Sequence, residues 1–232
     1  MRLLAAHTRG ADLRRPPVGT GAVGAFYGSR LHGPAQVSVT CRSNYEAVKA
    51  NGLQLKTHSF GDYHFQPHAV FPSIEAAAQS GTAFDYIVVT TKALPDVTDD
   101  SLTIAPVVSR ASSVVLIQNG VGVEDPHRAR FPTTPILSAV TIVSAAQTEP
   151  GVVRQNKWTR ISVGPFVRGP DDALAGDEQL AKESEASNKR FVELLKLGGI
   201  ADAEEYDEKG LQLVRWHKLA VSCLLAVRVR LS

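Results

Sequence analysis

The residues Gly19-Thr20-Gly21-Ala22-Val23-Gly24 spell G-x-G-x-x-G at the head of a segment with helical pattern, 22–31. That spacing suits a phosphate-bearing ligand. The first glycine permits a tight strand-to-helix turn, the second lets backbone approach a pyrophosphate, and the third lets helix and strand pack closely. A helix N-terminus adds N–H groups and partial positive charge. A plain glycine-rich loop is the alternative, because the chain holds 18 glycines and the hexapeptide alone is weak evidence.

Four further polar side chains stand where chemistry could use them. Arg42 follows a predicted second strand, 37–41. In a dinucleotide-binding unit a residue about 20 positions past the glycines meets the adenosine ribose, and an arginine there suits a 2′-phosphate. This favours NADP over NAD; an ordinary exposed arginine at a strand end is the alternative. Lys92 follows the apolar run 84–91, and Asn119 follows 113–117 within Gln118-Asn119-Gly120. Open α/β sheets bind ligands outside the carboxyl ends of their strands, which puts both residues on one rim. Asn119 also reads as a turn asparagine. Lys218, Ser222 and Ala226 fall at i, i+4 and i+8 of a last helix, 208–227, and so share one face. Taken alone, Lys218 also reads as a helix lysine whose stem packs while its amine reaches water.

The bulk properties exclude several classes. With 232 residues, 44% of them apolar, the chain can hold one full domain and part of another. A net charge of +2, without a basic stripe, argues against nucleic acid and against an acidic membrane surface. No apolar run reaches the ~18 residues of a membrane span, and the arginine-bearing N-terminus lacks the apolar core of a secretory signal. Cys41 and Cys223 lie far apart and form no metal pair, which predicts a reducing, cytoplasmic setting. His58, His64 and His68 lack an ordered spacing with carboxylate or thiol partners, so no metal site is predicted. Between Asp171 and Glu208 twelve acidic residues stand against four basic ones, a pattern of solvated surface rather than a carboxylate cluster.

The elements that must position these residues read as an α/β fold. A Rossmann-like doubly wound parallel sheet is expected over 18–204, followed by the first helix, in 205–232, of an otherwise missing all-helical domain. Residues 1–17 are expected to be irregular. Arg14-Arg15-Pro16-Pro17 precede the glycine turn where a buried Val/Ile/Leu run is needed, and Leu3 and Leu4 sit too far back to feed that turn directly. Helices are expected at 22–31, 45–50, 74–79, 97–110 and 191–197. Strands are expected at 37–41, 84–91, 113–117 and 135–146, with a hairpin over 53–70 turning at Gly61-Asp62 and an antiparallel hairpin over 151–164. The apolar run 219–227 has nothing after it to cover it, which predicts self-association, possible as a homodimer.

In this order, Gly19 to Gly24, Arg42, Thr91-Lys92-Ala93, Gln118-Asn119-Gly120 and Trp216-His217-Lys218-Leu219 resemble the ketopantoate reductases (2-dehydropantoate 2-reductases), over roughly 18–226. The resemblance implies an NADP domain followed by a helical domain, and NADPH-dependent reduction of 2-dehydropantoate, a small 2-oxo acid, to pantoate on the way to pantothenate. It implies that Gly19, Thr20, Gly21, Ala22, Val23 and Gly24 hold the pyrophosphate and Arg42 the 2′-phosphate. Lys92 would lie near the cofactor, Asn119 would touch both nicotinamide side and substrate, and Lys218 would be the proton donor. A lysine beside the ketone supplies a positive charge and then a proton for the alkoxide. The family pattern carries asparagine four and eight residues after that lysine. Here those positions are Ser222, a shorter substrate contact, and Ala226, which cannot hydrogen-bond. The rest of the family's helical domain has no counterpart, so truncation is expected. Two other readings stay open: a non-catalytic NADP-binding remnant, and a related reductase acting on another 2-oxo acid.

Overall fold

The computed structural model describes residues 1–6, 21–94, 96–167 and 177–230, and the side chains of all of these except 3–6 and 223–230. In chain order the first half runs β1 (Arg2–Ala6), α1 (Ala22–Leu31), β2 (Gln36–Thr40), α2 (Tyr45–Asn51), β3 (Leu53–Thr57), β4 (Gly61–Phe65), β5 (Ala69–Phe71), α3 (Ile74–Gln79), β6 (Tyr86–Val89) and α4 (Asp100–Ile104). Then come β7 (Ser113–Leu116), α5 (Asp125–Arg130), β8 (Ile136–Thr141), β9 (Ser144–Glu149), β10 (Val152–Lys157), β11 (Ile161–Pro165), α6 (Glu178–Leu197), β12 (Ala203–Glu205) and α7 (Glu208–Arg230).

Eight strands form one sheet in the order β12-β11-β8-β7-β6-β1-β2-β5. Every neighbouring pair is parallel except β8 with β11. Strands of such a sheet are covered on both faces and read as continuous apolar runs. β6 and β7 obey this, with all four residues of each buried. Alternate side chains enter opposite cores. Tyr86, Val88 and Val115 join Phe26, Val37, Val39 and Phe191 on one face, while Ile87, Val89, Val114 and Leu116 join Ile74, Ile104 and Ile136 on the other. A smaller four-stranded sheet, β4-β3-β10-β9, buries Leu53, Leu55, Phe65 and Val153 against the first core.

The architecture is the expected Rossmann-like one, with three corrections. Residues 1–17 are not irregular throughout, because Arg2–Ala6 forms β1 at the sheet centre, with Leu3 opposite both Val37 and Tyr86. The arginine- and proline-rich stretch falls after the strand, within 7–20, outside the described residues. The sequence misleads here because a βα connection of 2–6 residues is the norm. The segment 151–164 is not a hairpin: β10 pairs with β9 and β3 in the small sheet, and β11 pairs with β8 and β12 in the large one. The chain changes sheets at Trp158, which takes a left-handed φ of 57°. The helix expected over 97–110 is shorter. Asp99 caps α4 by accepting from the Leu102 amide at 3.1 Å, and Pro106 confines the continuation to a 3-10 turn, 105–107.

Two further bounds shift, since the helix expected at 191–197 begins at Glu178 and the 53–70 hairpin turns at 58–60, with Gly61 and Asp62 already in β4; the remaining elements form close to where the pattern puts them. α1 and α3 match the expected bounds, α2 ends at Gly52 with φ 63°, and the 53–70 hairpin forms as β3 and β4. Gly61 opens β4, and the chain then continues into β5 beside β2. The 135–146 run divides into β8 and β9.

α6 and α7 brace the sheet's far end. In α6, Leu180, Ser184, Asn188, Phe191 and Leu195 are buried along one face, and Asp177 accepts from the Leu180 amide at 2.9 Å. α7 rests on β11 through Leu211. A Cβ on Gly164 would lie 3.0 Å from Leu211 Cβ and 3.0 Å from the Tyr206 carbonyl oxygen, so only a bare backbone lets the helix start so close to the sheet. That contact aims the next turns of α7 along the carboxyl ends of β7 and β8.

Candidate active site

β1, β2, β6, β7 and β8 run parallel, so their carboxyl ends share one rim. Strand order departs in both directions from β1, with β2 on one side and β6 on the other. Ligands of open sheets bind outside such a switch point. The end of the glycine motif lies there. Gly19 and Thr20 fall outside the described residues; Gly21 is the N-cap of α1, and Ala22, Val23 and Gly24 form its first turn. Among the described residues no side chain caps this N-terminus and no acidic residue sits in its first turn, and the positive end of a helix favours an anion. A Cβ on Gly24 would come within 2.5 Å of Thr90 Oγ1. Gly24 therefore lets α1 pack on the end of β6, the role expected of the third glycine.

Thr90 Oγ1 is itself buried and without a hydrogen-bond partner among the described residues. Leaving a hydroxyl so costs about 1–3 kcal/mol. The uncapped α1 N-terminus, which carries no acidic residue in its first turn, is the feature of the described residues that fits a bound pyrophosphate.

Arg42 is exposed just past β2. It faces the first turn of α3. The Glu75 carboxyl there is held below its usual range by its own backbone amide, then by Ser73, and also by the Arg42 charge. Lys92 is exposed just past β6. The two cations follow β2 and β6 and so stand on the same rim.

That lysine and the asparagine are brought together. Lys218 Nζ donates to Asn119 Oδ1 at 2.6 Å and to the Thr141 carbonyl at 2.8 Å, joining α7 to the ends of β7 and β8. Gln118 fixes the asparagine loop from below: its Nε2 donates to Thr91 Oγ1 at 2.7 Å and to Asp100 Oδ2 at 2.8 Å. Burial lowers the Lys218 amine below the ordinary lysine range, and the nearby Arg215 charge adds to this. Both act against the charged form of an amine. Ser222 lies one turn on, its hydroxyl donating to the Lys218 carbonyl at 2.9 Å; Ala226 lies outside the residues whose side chains are described. Asn119, Lys218 and Ser222, with Val140 and Leu219, line a cavity of about 260 Å³.

Sequence reasoning missed the support beneath this cavity. Arg215, 4% exposed, precedes Lys218 by one helical turn. Its Nη1 donates to the carbonyls of Gln118 (3.3 Å) and Gly120 (2.7 Å), and its Nη2 donates to Glu124 Oε1 at 2.9 Å and to Ser138 Oγ. Arg215 and Lys218 at i and i+3 do share a face in sequence, but nothing in the spacing pairs Arg215 with Glu124. No group of side chains suited to a metal ion occurs among the described residues, and no helix among them is long and apolar enough to cross a membrane. The described His58, His64 and His68 are exposed.

Fold and rim together define a Rossmann-like α/β domain with a lysine–asparagine cavity at the carboxyl ends of its strands. The family described as Ketopantoate reductase PanE/ApbA matches residues 18–168, and the chain belongs to that family. Protein YDL144C of Saccharomyces cerevisiae is 27% identical over 223 residues, covering 87% of this chain and 59% of its own length. The crystal structure of 2-dehydropantoate 2-reductase from Methylococcus capsulatus superposes with a TM-score of 0.68 at 26% identity, covering 94% of this chain and 60% of that one. A ternary structure of D-mandelate dehydrogenase with NADH and anilino(oxo)acetate has the same fold, with a TM-score of 0.68 at 20% identity, over 94% of this chain and 60% of that one. The chain spans at most 59% of the length of the curated relatives it matches.

Proposed function

We propose that this chain carries the cofactor half and the proton donor of an NADPH-dependent 2-oxo acid reductase, with 2-dehydropantoate as substrate and pantoate as product. The observation that carries the reading is the Lys218–Asn119 contact at 2.6 Å inside a cavity on the carboxyl rim. Gly21 to Gly24 would hold the pyrophosphate against the α1 N-terminus, Arg42 the 2′-phosphate, and Lys92 would lie near the cofactor. When bound, the nicotinamide supplies a hydride to the carbonyl carbon of the substrate.

The residues of the chain do the rest. The Lys218 ammonium attracts the carbonyl oxygen and stabilises the negative charge that develops on it, an effect strengthened where water is excluded. It then gives that oxygen its proton, which turns the alkoxide into an alcohol. Asn119 Oδ1 and the Thr141 carbonyl fix the amine, so its direction is set before substrate arrives. Asn119 Nδ2 remains a donor for the substrate or the nicotinamide amide.

A second reading keeps this chemistry and changes the acid. The Ser222 hydroxyl is engaged by its own helix and offers less reach than a longer amide would, which favours a 2-oxo acid without a polar tail. D-mandelate dehydrogenase, of the same fold, holds anilino(oxo)acetate.

The test is NADPH binding followed by turnover on a panel of 2-oxo acids that includes 2-dehydropantoate. NADPH oxidation dependent on 2-dehydropantoate supports the first reading, and oxidation only with another 2-oxo acid supports the second. Binding of NADPH without turnover on any acid overturns both.

A further inference from the structure

Arg215 lines the cavity but is already committed. Both Nη atoms are used on protein acceptors, two of them the carbonyls immediately before and after Asn119, the others Glu124 and Ser138. Glu124 is 1% exposed and Ser138 0%. Breaking a buried ion pair by removing one partner strands the other charge. The pair therefore holds the Gln118–Gly120 loop in one place, while its positive member lies one helical turn from Lys218. Among the described residues the remaining surroundings of Lys218 carry little charge: β8 and β11 contain no Asp, Glu, His, Lys or Arg, and of the two titratable residues of α1, Arg30 is turned onto the Gly198 carbonyl and the Phe60 ring while Tyr27 brings a buried phenol, raised by its burial.

We propose that Arg215 and Glu124 are a positioning pair, in which the guanidinium clamps the carbonyls flanking Asn119 and its charge, balanced by Glu124, sets the field at the Lys218 amine. The inference rests on the reductase reading for its purpose, since it names the device that prepares the proton donor. It needs no turnover to be tested. Removing the arginine cation leaves Glu124 facing the site and favours the charged amine. Neutralising Glu124 leaves the cation unbalanced and disfavours it.

The experiment follows acetylation of Lys218 by acetic anhydride across pH in the full chain, localised by mass spectrometry, for wild type, Arg215→Met and Glu124→Gln. Acetylation needs the neutral amine. The expected result is a half-reaction pH shifted upward by about one unit in Arg215→Met, or ~tenfold slower modification at any pH well below it. A shift in the opposite direction is expected in Glu124→Gln. Unmoved profiles in folded variants overturn the proposal. If Arg215→Met fails to fold, Glu124→Gln decides alone: a downward shift supports the pair and an unmoved profile overturns it. Absence of NADPH-dependent turnover in the wild type would overturn the reductase reading and leave this result standing.

Discussion

Lys218 and Asn119 meet at 2.6 Å across 99 residues of sequence, and this contact converts two rim positions into one site. The amine is held below the ordinary lysine range by burial, with the Arg215 charge adding to the effect. As proton donor it must enter the reaction charged. Turnover is therefore expected to fall as pH rises through the Lys218 value, which lies below that of a free lysine, about 10.4. A pH–rate profile for kcat checks this. A rate that stays level up to the ordinary lysine range would separate Lys218 from the proton transfer.

Gly24 has room for no side chain, since a Cβ would stand 2.5 Å from Thr90 Oγ1. Gly24→Ala must push α1 from the end of β6 or displace the threonine, at a cost of about 1–3 kcal/mol typical of overpacking. A lower urea midpoint and roughly tenfold or greater weakening of NADPH binding are expected, read by denaturation and cofactor fluorescence. Wild-type stability and affinity together would show that the helix does not seat there.

Arg42→Ala separates the two nicotinamide cofactors. A charge-assisted hydrogen bond is worth about 1.5–3 kcal/mol, so affinity for NADPH should fall roughly tenfold or more while affinity for NADH stays near its starting value. Titration of both cofactors measures it. Equal losses would remove Arg42 from the 2′-phosphate.

His127 gives a prediction about stability alone. It is 2% exposed and its Nδ1–H donates to the Val123 carbonyl at 3.1 Å. Burial lowers its pKa, partly offset by that hydrogen bond. The unfolded chain, with a histidine near pKa 6.5, then binds a proton that the folded chain does not. Stability is present above about pH 6.5 and is lost as pH falls from there through the folded value. The urea midpoint should drop over that window in wild type and drop less in His127→Gln; parallel curves would contradict this.

Periodicity made the parallel strands legible. Runs such as 84–91 and 113–117 are apolar on both faces because helices cover both, and the rim residues followed from where those runs stop. Two features hid the rest. Arg2–Ala6 went unseen because fifteen residues, 7–21, stand between it and α1, and a glycine turn is normally fed by the strand directly before it. The break at Trp158 went unseen because strand patterns look alike whichever sheet they enter, and pairing is a long-range choice. Asn119 could be placed from the end of its strand and Lys218 from the family resemblance, whereas Arg215, Glu124 and Ser138 could be named from neither. Their partnership exists only once Gly164 has let α7 settle on β11.

The most direct test compares NADPH oxidation with a 2-oxo acid by the wild-type chain and by Lys218→Met, with NADPH affinity measured in parallel. The predicted result is wild-type turnover that requires the acid, and a variant that binds NADPH as well but turns over about 10²–10⁴-fold more slowly, the usual worth of a positioned acid. Equal turnover in the two proteins would contradict the central claim that the Lys218 amine in the Asn119 cavity protonates the product.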